Sequence, residues 1–131
     1  MSVKGPFLID TDVLIDYLRD YSPAVEFLEL LTPPIFICSI SVAELYAGVR
    51  EGNERLALDL LLQTYEIISV DANIAKTGGL FKREFSKRIG TSINDALIAA
   101  AAITKGATLV SLNKKHFSWF DKLHVPYMKQ H

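Results

Sequence analysis

Three acidic residues each stand beside an apolar segment of the chain. Asp10 closes Pro6-Phe-Leu-Ile-Asp10, Glu44 lies in Ser41-Val-Ala-Glu44-Leu, and Asp95 opens Asp95-Ala-Leu-Ile-Ala-Ala-Ala-Ala-Ile103. Ionised carboxylates are costly to place near a low-dielectric core, so acids set repeatedly at its margin imply that something positive gathers them. Oxygen donors without His or Cys suit Mg²⁺ or Mn²⁺ rather than zinc. Such an ion polarises a phosphoryl oxygen, lowers the pKa of a water and steadies a leaving oxygen, which are the needs of phosphodiester hydrolysis.

Each acid also has a plainer reading as a helix cap. Ser41-Val-Ala-Glu44 fits the S-x-x-E capping box, Ser92-Ile-Asn-Asp95 is its Asp analogue, and Thr11 can cap the first helix with Asp12 favouring its positive end. Topology tilts the balance. In open parallel sheets, ligands sit outside the carboxyl ends of the strands. Asp10 ends the first expected strand, Glu44 lies one turn into the helix after the second, and Asp95 starts a helix that feeds the fourth. All three then share one rim.

The elements that must position them follow from periodicity and punctuation. Phe7-Leu-Ile9 reads as a strand, and Val13, Leu14, Tyr17 and Leu18 have helical spacing. Ser22-Pro23 starts a second helix, with Ser as cap and Pro in the first turn, and Pro33-Pro34 ends it. Ile35 to Cys38 is a second strand, Val42 to Val49 a helix, Glu54 to Gln63 another, and Tyr65 to Val70 a third strand. Asp71 caps a helix running to about Lys87, which Gly78-Gly79 weakens or bends. Ala96 to Ile103 is apolar all round and marks a buried helix. Thr108-Leu-Val-Ser111 is a fourth strand, and Val125-Pro-Tyr127 a short edge strand where proline is tolerated. Strands alternating with helices give an α/β fold, a parallel sheet covered on both faces.

Composition narrows the classes. The chain has 131 residues, half of them apolar, and is read as one domain spanning 1–131 with a core that needs no disulfide. A formal net charge of -1 argues against a protein that holds DNA mainly by bulk electrostatics. Cys38 is the only cysteine, which excludes an internal disulfide and a cysteine-rich zinc site. Met1 to Ile9 lacks a signal-peptide core, and no segment approaches the roughly 20 apolar residues of a membrane span. The expected location is the cytoplasm.

Several side chains carry smaller expectations. Asp12 is a possible outer group near the metal, whereas Asp16 reads as a solvated face. His116 reads as a surface histidine, with RNA contact as its rival. Lys82-Arg83, Lys87-Arg88 and Lys114-Lys115 read as solvated helix or turn surface, with Lys114-Lys115 near enough to the rim for phosphate contact. Phe81, Phe85, Trp119 and Phe120 read as core or interface rather than base-stacking platforms.

With these residues in place the chain resembles the PIN domain, and more narrowly the VapC-type toxin ribonucleases. Leu8-Ile-Asp10-Thr-Asp-Val-Leu-Ile-Asp16-Tyr-Leu18 is similar to the opening acid motif, and Ser39-Ile-Ser-Val-Ala-Glu44-Leu-Tyr-Ala-Gly48 to the second. Ile93-Asn-Asp95-Ala-Leu-Ile-Ala-Ala100 is similar to the third, and Leu109-Val-Ser-Leu-Asn113-Lys-Lys-His-Phe117 to the fourth. The resemblance implies a three-layer α/β/α sandwich with a central, mainly parallel sheet of four or five strands. It implies a Mg²⁺ or Mn²⁺ pocket that cuts RNA to leave a 5′-phosphate and a 3′-hydroxyl, a VapB-like antitoxin that blocks it, and a homodimer.

Carried onto this chain, Asp10, Glu44 and Asp95 match the acidic metal ligands, and Ser111 a hydroxyl-bearing position beside the fourth motif. Asn113 joins them as a catalytic residue where many relatives place a fourth acid. It keeps a ligating oxygen but removes a charge, so one-metal catalysis is expected. Two rival functions are weighed. A catalytically weak PIN domain that binds RNA or a partner is favoured by Asn113. An aspartyl-phosphate phosphatase of the haloacid dehalogenase type is suggested by Asp10-Thr-Asp12, but lacks the Gly-Thr after the second Asp and a late acidic pair.

Overall fold

Phe7–Ile9 forms β1, and all three of its side chains are buried because a strand at the centre of a parallel sheet is covered on both faces. The remaining elements are α1 (Thr11–Leu18), α2 (Ser22–Leu30), β2 (Ile35–Cys38), α3 (Ser39–Gly48), α4 (Asn53–Thr64), β3 (Glu66–Ile68), α5 (Ala72–Ile89), α6 (Ile93–Thr104), β4 (Thr108–Val110) and β5 (Leu123–His124). The structure, a computed structural model, describes residues 5–129. The five strands are parallel throughout and lie in the order β3-β2-β1-β4-β5. Strand order therefore reverses at β1, whose neighbours are β2 and β4.

The period of two along each strand sorts the core into two clusters. Phe7, Ile9, Ile35, Ile37 and Val110 face Val13, Leu14, Leu28, Leu45, Leu58 and Leu61 of α1 to α4. Leu8, Phe36, Cys38, Ile68 and Leu109 face Ile74 of α5, the alanines of α6, and Phe117 and Phe120. This is the α/β/α sandwich with a five-stranded parallel sheet. Among the described residues no helix is long and apolar enough to cross a membrane.

Several local expectations change. Val125-Pro-Tyr127 is not a strand; the edge strand is Leu123–His124, two residues earlier, where Leu109 and Val110 supply the partners. Gly78-Gly79 does not interrupt α5. A Cβ on Gly78 would stand 3.1 Å from the Leu97 Cα, so this glycine lets α5 and α6 approach closely, and packing offsets its poor helix propensity. Asp71 caps α5 as expected, its carboxylate accepting the Ile74 N–H at 2.9 Å. Ser22 lies inside α2 and makes no cap, although Pro23 sits in the first turn.

Asp16 is not on a solvated face. It is 7 % exposed, and accepts hydrogen bonds from Tyr127 Oη at 2.7 Å and Lys129 Nζ at 2.6 Å, which tie the chain after β5 to α1. Of the aromatic residues, Phe120 is buried, Phe81 and Trp119 pack partly buried against the core, and Trp119 stacks on Phe85 with ring centroids 4.3 Å apart.

Candidate active site

β1 and β4 are neighbours, and their carboxyl ends open the crevice where strand order reverses, the usual ligand position in an open parallel sheet. Asp10 leaves β1 directly into that crevice and is only 5 % exposed. It is also the N-cap of α1, one carboxylate oxygen accepting the Thr11 N–H at 2.8 Å, so the cap is Asp10 and not Thr11. The other oxygen accepts the hydroxyl of Ser111, the residue after β4, at 2.6 Å.

Asp12 sits on the same side of α1. Its carboxylate accepts the Val13 N–H at 2.7 Å and the Leu112 N–H at 3.0 Å, and stands 3.5 Å from Ser111 Oγ. Asp12 thus joins the start of α1 to the end of β4. Its involvement was legible only as a possibility, because an acid in the first helical turn has an ordinary dipole role.

Glu44 reaches the rim from α3. Thr11 Oγ1 lies 2.6 Å from Glu44 Oε1 and 2.8 Å from Ser41 Oγ. A carboxylate only accepts, so Thr11 donates to Glu44 and takes its own hydrogen bond from Ser41. Ser41 is buried within α3 and Cys38 holds the cap position, so the capping-box reading of Ser41 and Glu44 fails. The second oxygen of Glu44 accepts from Asn94 Nδ2 at 3.3 Å, which links α3 to the start of α6.

Asp95 stands in the first turn of α6, where Ser92 is the cap and accepts the Asp95 N–H at 3.0 Å. The Asp95 carboxylate makes no reciprocal bond to the Ser92 backbone N–H among the described residues, and faces His116, whose Nδ1 lies 3.8 Å from Oδ2. Asn113 in turn places Nδ2 3.2 Å from His116 Nδ1, and its Oδ1 accepts the His116 N–H at 3.4 Å. His116 is therefore a half-buried partner of Asp95 and Asn113 rather than a free surface histidine. Nothing in its sequence setting distinguishes the two.

The electrostatics show why these acids need company. Burial pushes the Asp10 carboxyl up to about 7, aided by Asp12 and, more weakly, Asp95, against the opposing pull of Ser111 and the Thr11 N–H. Burial likewise lifts Asp12 to about 6, with Asp16 adding repulsion and the Leu112 and Val13 N–H groups opposing. Asp95 is raised by burial and by Glu44, with Ser92 and His116 opposing. Asp10 and Asp95 thus feel one another, as do Asp95 and Glu44.

The side chains do not form a finished metal cage: among the described residues no three of the His, Cys, Asp and Glu type cluster closely enough to hold an ion by themselves. Asp10, Asp12 and Ser111 are in direct proximity, while Glu44 is bonded to Thr11 and Asn94 and Asp95 faces His116. The donor set still fits a small hard cation. Mg²⁺ keeps several waters and takes one or two carboxylates directly, so partly separated acids are suited to it. A positive charge there would also relieve the repulsion that raises Asp10.

A family model, the PIN domain, matches residues 7–123. Curated relatives include Ribonuclease VapC19 of Mycobacterium tuberculosis, 37% identical over 124 residues that cover 92% of this chain and 98% of the relative. Ribonuclease VapC1 of Methanocaldococcus jannaschii is 35% identical over 116 residues, covering 87% of this chain and 80% of its own. Among solved structures, a toxin-antitoxin complex from Klebsiella pneumoniae superposes with a TM-score of 0.83 at 26% identity, covering 93% of this chain and 98% of that one. VapBC2 from Rickettsia felis, bound to a DNA fragment from its promoter, gives a TM-score of 0.75 at 31% identity over 89% and 94% of the two chains.

Proposed function

The chain belongs to the PIN domain family, and from that premise we propose that it is a Mg²⁺- or Mn²⁺-dependent endoribonuclease, the toxin of a VapBC-type pair. Asp10, Glu44 and Asp95 would hold the ion, in part through its waters, and Asn113 would lend an oxygen beside them. The observation that carries this reading is the meeting of Asp10, Asp12 and Ser111 at the β1/β4 switch point, with Glu44 and Asp95 on the same rim. A bound divalent cation supplies Lewis acidity at the scissile phosphate.

The chain's own groups prepare for that. Ser111 and the Thr11 N–H orient both oxygens of Asp10. Thr11 and Asn94 fix the two oxygens of Glu44, and the Ser92 cap fixes the first turn from which Asp95 projects. Low exposure of Asp10 keeps bulk water from screening its charge. RNA is the substrate, and a VapB-like antitoxin is the partner that silences the rim, as the toxin-antitoxin setting of the relatives supports. Homodimerisation draws support from Leu56 and Leu60, one turn apart on α4 and 62% and 61% exposed. The proposed location is the cytoplasm, where such an RNA substrate is present.

Cleavage of a panel of RNAs with Mn²⁺ or with a chelator tests the assignment, using Asp10→Asn and Asp95→Asn as controls. Metal-dependent cleavage that falls by orders of magnitude in both variants is expected. Cleavage that survives both substitutions assigns the activity elsewhere, and metal-independent binding without cleavage makes the chain an RNA-binding domain.

A further inference from the structure

The cations of this chain are not evenly spent. Arg50 pairs with Glu54, Arg55 with Glu51 and Asp59, and Lys129 with Asp16. Lys87, Lys114 and Lys115 are among several exposed cations, Arg19, Lys76, Arg83, Arg88, Lys105 and Lys122 being others, that have no carboxylate partner among the described residues. Lys114 and Lys115 lie between Asn113 and His116, the histidine that faces Asp95, and Lys87 lies in the last turn of α5, just ahead of the connection to α6.

Their placement is fixed by the turn after β4. Phe117 is fully buried, the Phe117 N–H bonds to the Asn113 carbonyl at 3.2 Å, and the His116 carbonyl accepts from Trp119 Nε1 at 2.8 Å and Thr91 Oγ1 at 3.3 Å. Lys114 and Lys115 therefore ride on a turn pinned both to the core and to the α5–α6 connection. On the other side of that connection, Gly90 ends α5 against His116, so close that a Cβ at Gly90 would stand 4.0 Å from His116 Nε2. Lys87 belongs to the last turn of α5, immediately before. The opposite border of the rim is less basic: the cleft beside Glu44 is lined by Ile15, Leu18, Leu45 and Val49, by a second acid, Glu54, and by a single cation, Arg19.

We propose that Lys114, Lys115 and Lys87 form a seat for the sugar–phosphate backbone of single-stranded RNA, so that the strand reaches the acid pocket from the Asp95 side. The seat rests on the ribonuclease reading for its ligand, and answers a difficulty within it. An acidic pocket repels a polyanion, and a chain of net charge -1 has no bulk attraction to offset this, so the approach needs local, unneutralised cations. Flexible lysines bind phosphates as point charges without reading bases, which suits backbone contact.

The test is the salt dependence of binding to a fluorescein-labelled, mixed-sequence 12-nucleotide RNA, followed by anisotropy in the Asp10→Asn background that spares the RNA. Each phosphate contact contributes about -0.7 to the slope of log K against log salt for a single strand, so Lys114→Ala/Lys115→Ala should make the slope shallower by about 1.4, and adding Lys87→Ala by about 0.7 more. Lys105→Ala/Lys122→Ala, at the amino-terminal rim of the sheet, should leave it unchanged. An unaltered slope in the lysine triple variant, or an equal change in the control pair, overturns the seat. Cleavage of the same RNA by the unsubstituted chain with Mn²⁺ is scored separately. Cleavage with an unaltered slope removes the seat and keeps the nuclease, whereas altered slopes without cleavage keep the seat and remove the nuclease.

Discussion

Ser111 donates its hydroxyl to Asp10 across 2.6 Å, and the same oxygen accepts the Asn113 N–H at 3.0 Å, so one side chain braces the pocket acid and orders the turn after β4. Ser111 is itself fully buried, and no water replaces it readily. Ser111→Ala leaves Asp10 with the Thr11 N–H alone. Removing one partner of a buried, charge-assisted bond costs about 1–3 kcal/mol. Urea unfolding of the metal-free protein at pH 8 should show that loss, and a midpoint equal to that of the unsubstituted chain would contradict the brace.

The raised carboxyls make the metal-free protein sensitive to pH. Asp10, at about 7, and Asp12, at about 6, hold protons in the folded chain that the unfolded chain releases near the ordinary value of 3.8. Folded pKa values above unfolded ones mean stability that is complete below pH about 4 and lost as pH rises towards 7. In chelator, the Tm should fall between pH 5 and 7.5 and then level off. Asp10→Asn should flatten the curve. Mn²⁺ competes with those same protons, so its stabilising shift should be larger at pH 8 than at pH 5.5. A metal-free Tm that climbs over this range would refute the account.

How much of this was legible from residues alone depended on whether the signal was local. β1, β2, α6 and the shared rim of Asp10, Glu44 and Asp95 follow from short apolar runs and from the rule for parallel sheets. The edge strand was misplaced because two residues of pairing carry almost no periodicity. Asp16, His116 and Thr11 differ from expectation for another reason: Tyr127, Asp95 and Glu44, which they meet, lie 111, 21 and 33 residues away, and no local pattern encodes such meetings. Gly78 shows the same limit, since its role is set by Leu97 on the next helix.

Asn113 offers a gain-of-charge experiment. Its Oδ1 accepts the His116 N–H, which Asp can reproduce, while its Nδ2 faces His116 Nδ1, which Asp cannot. Asn113→Asp therefore exchanges a donor for a second acceptor beside the ring, and adds negative charge to the rim next to Asp95. Added carboxylate charge strengthens the hold on a hard cation. Calorimetric titration with Mn²⁺ should give tighter binding than the unsubstituted chain shows. Equal or weaker binding would separate Asn113 from the metal site and leave it as a partner of His116 alone.

The buried Asp16 calls for the last experiment, because its two donors come from the chain after β5. Tyr127 Oη and Lys129 Nζ each hold one carboxylate oxygen, and Lys129 also lies 5.2 Å from the centroid of the Tyr21 ring. Tyr127→Phe keeps the ring against Tyr21 but deletes the hydrogen bond, at a cost of about 1–3 kcal/mol. Lys129 is 41% exposed in its side chain, so water screens its charge and Lys129→Met should cost less than the loss of a fully buried pair. A double-mutant cycle of Tyr127→Phe with Asp16→Asn isolates the contact. Coupling of about 0.5–3 kcal/mol is expected from urea unfolding. Coupling near zero would mean that Asp16 is satisfied without Tyr127, and that the tail is not fastened to α1 through this pair.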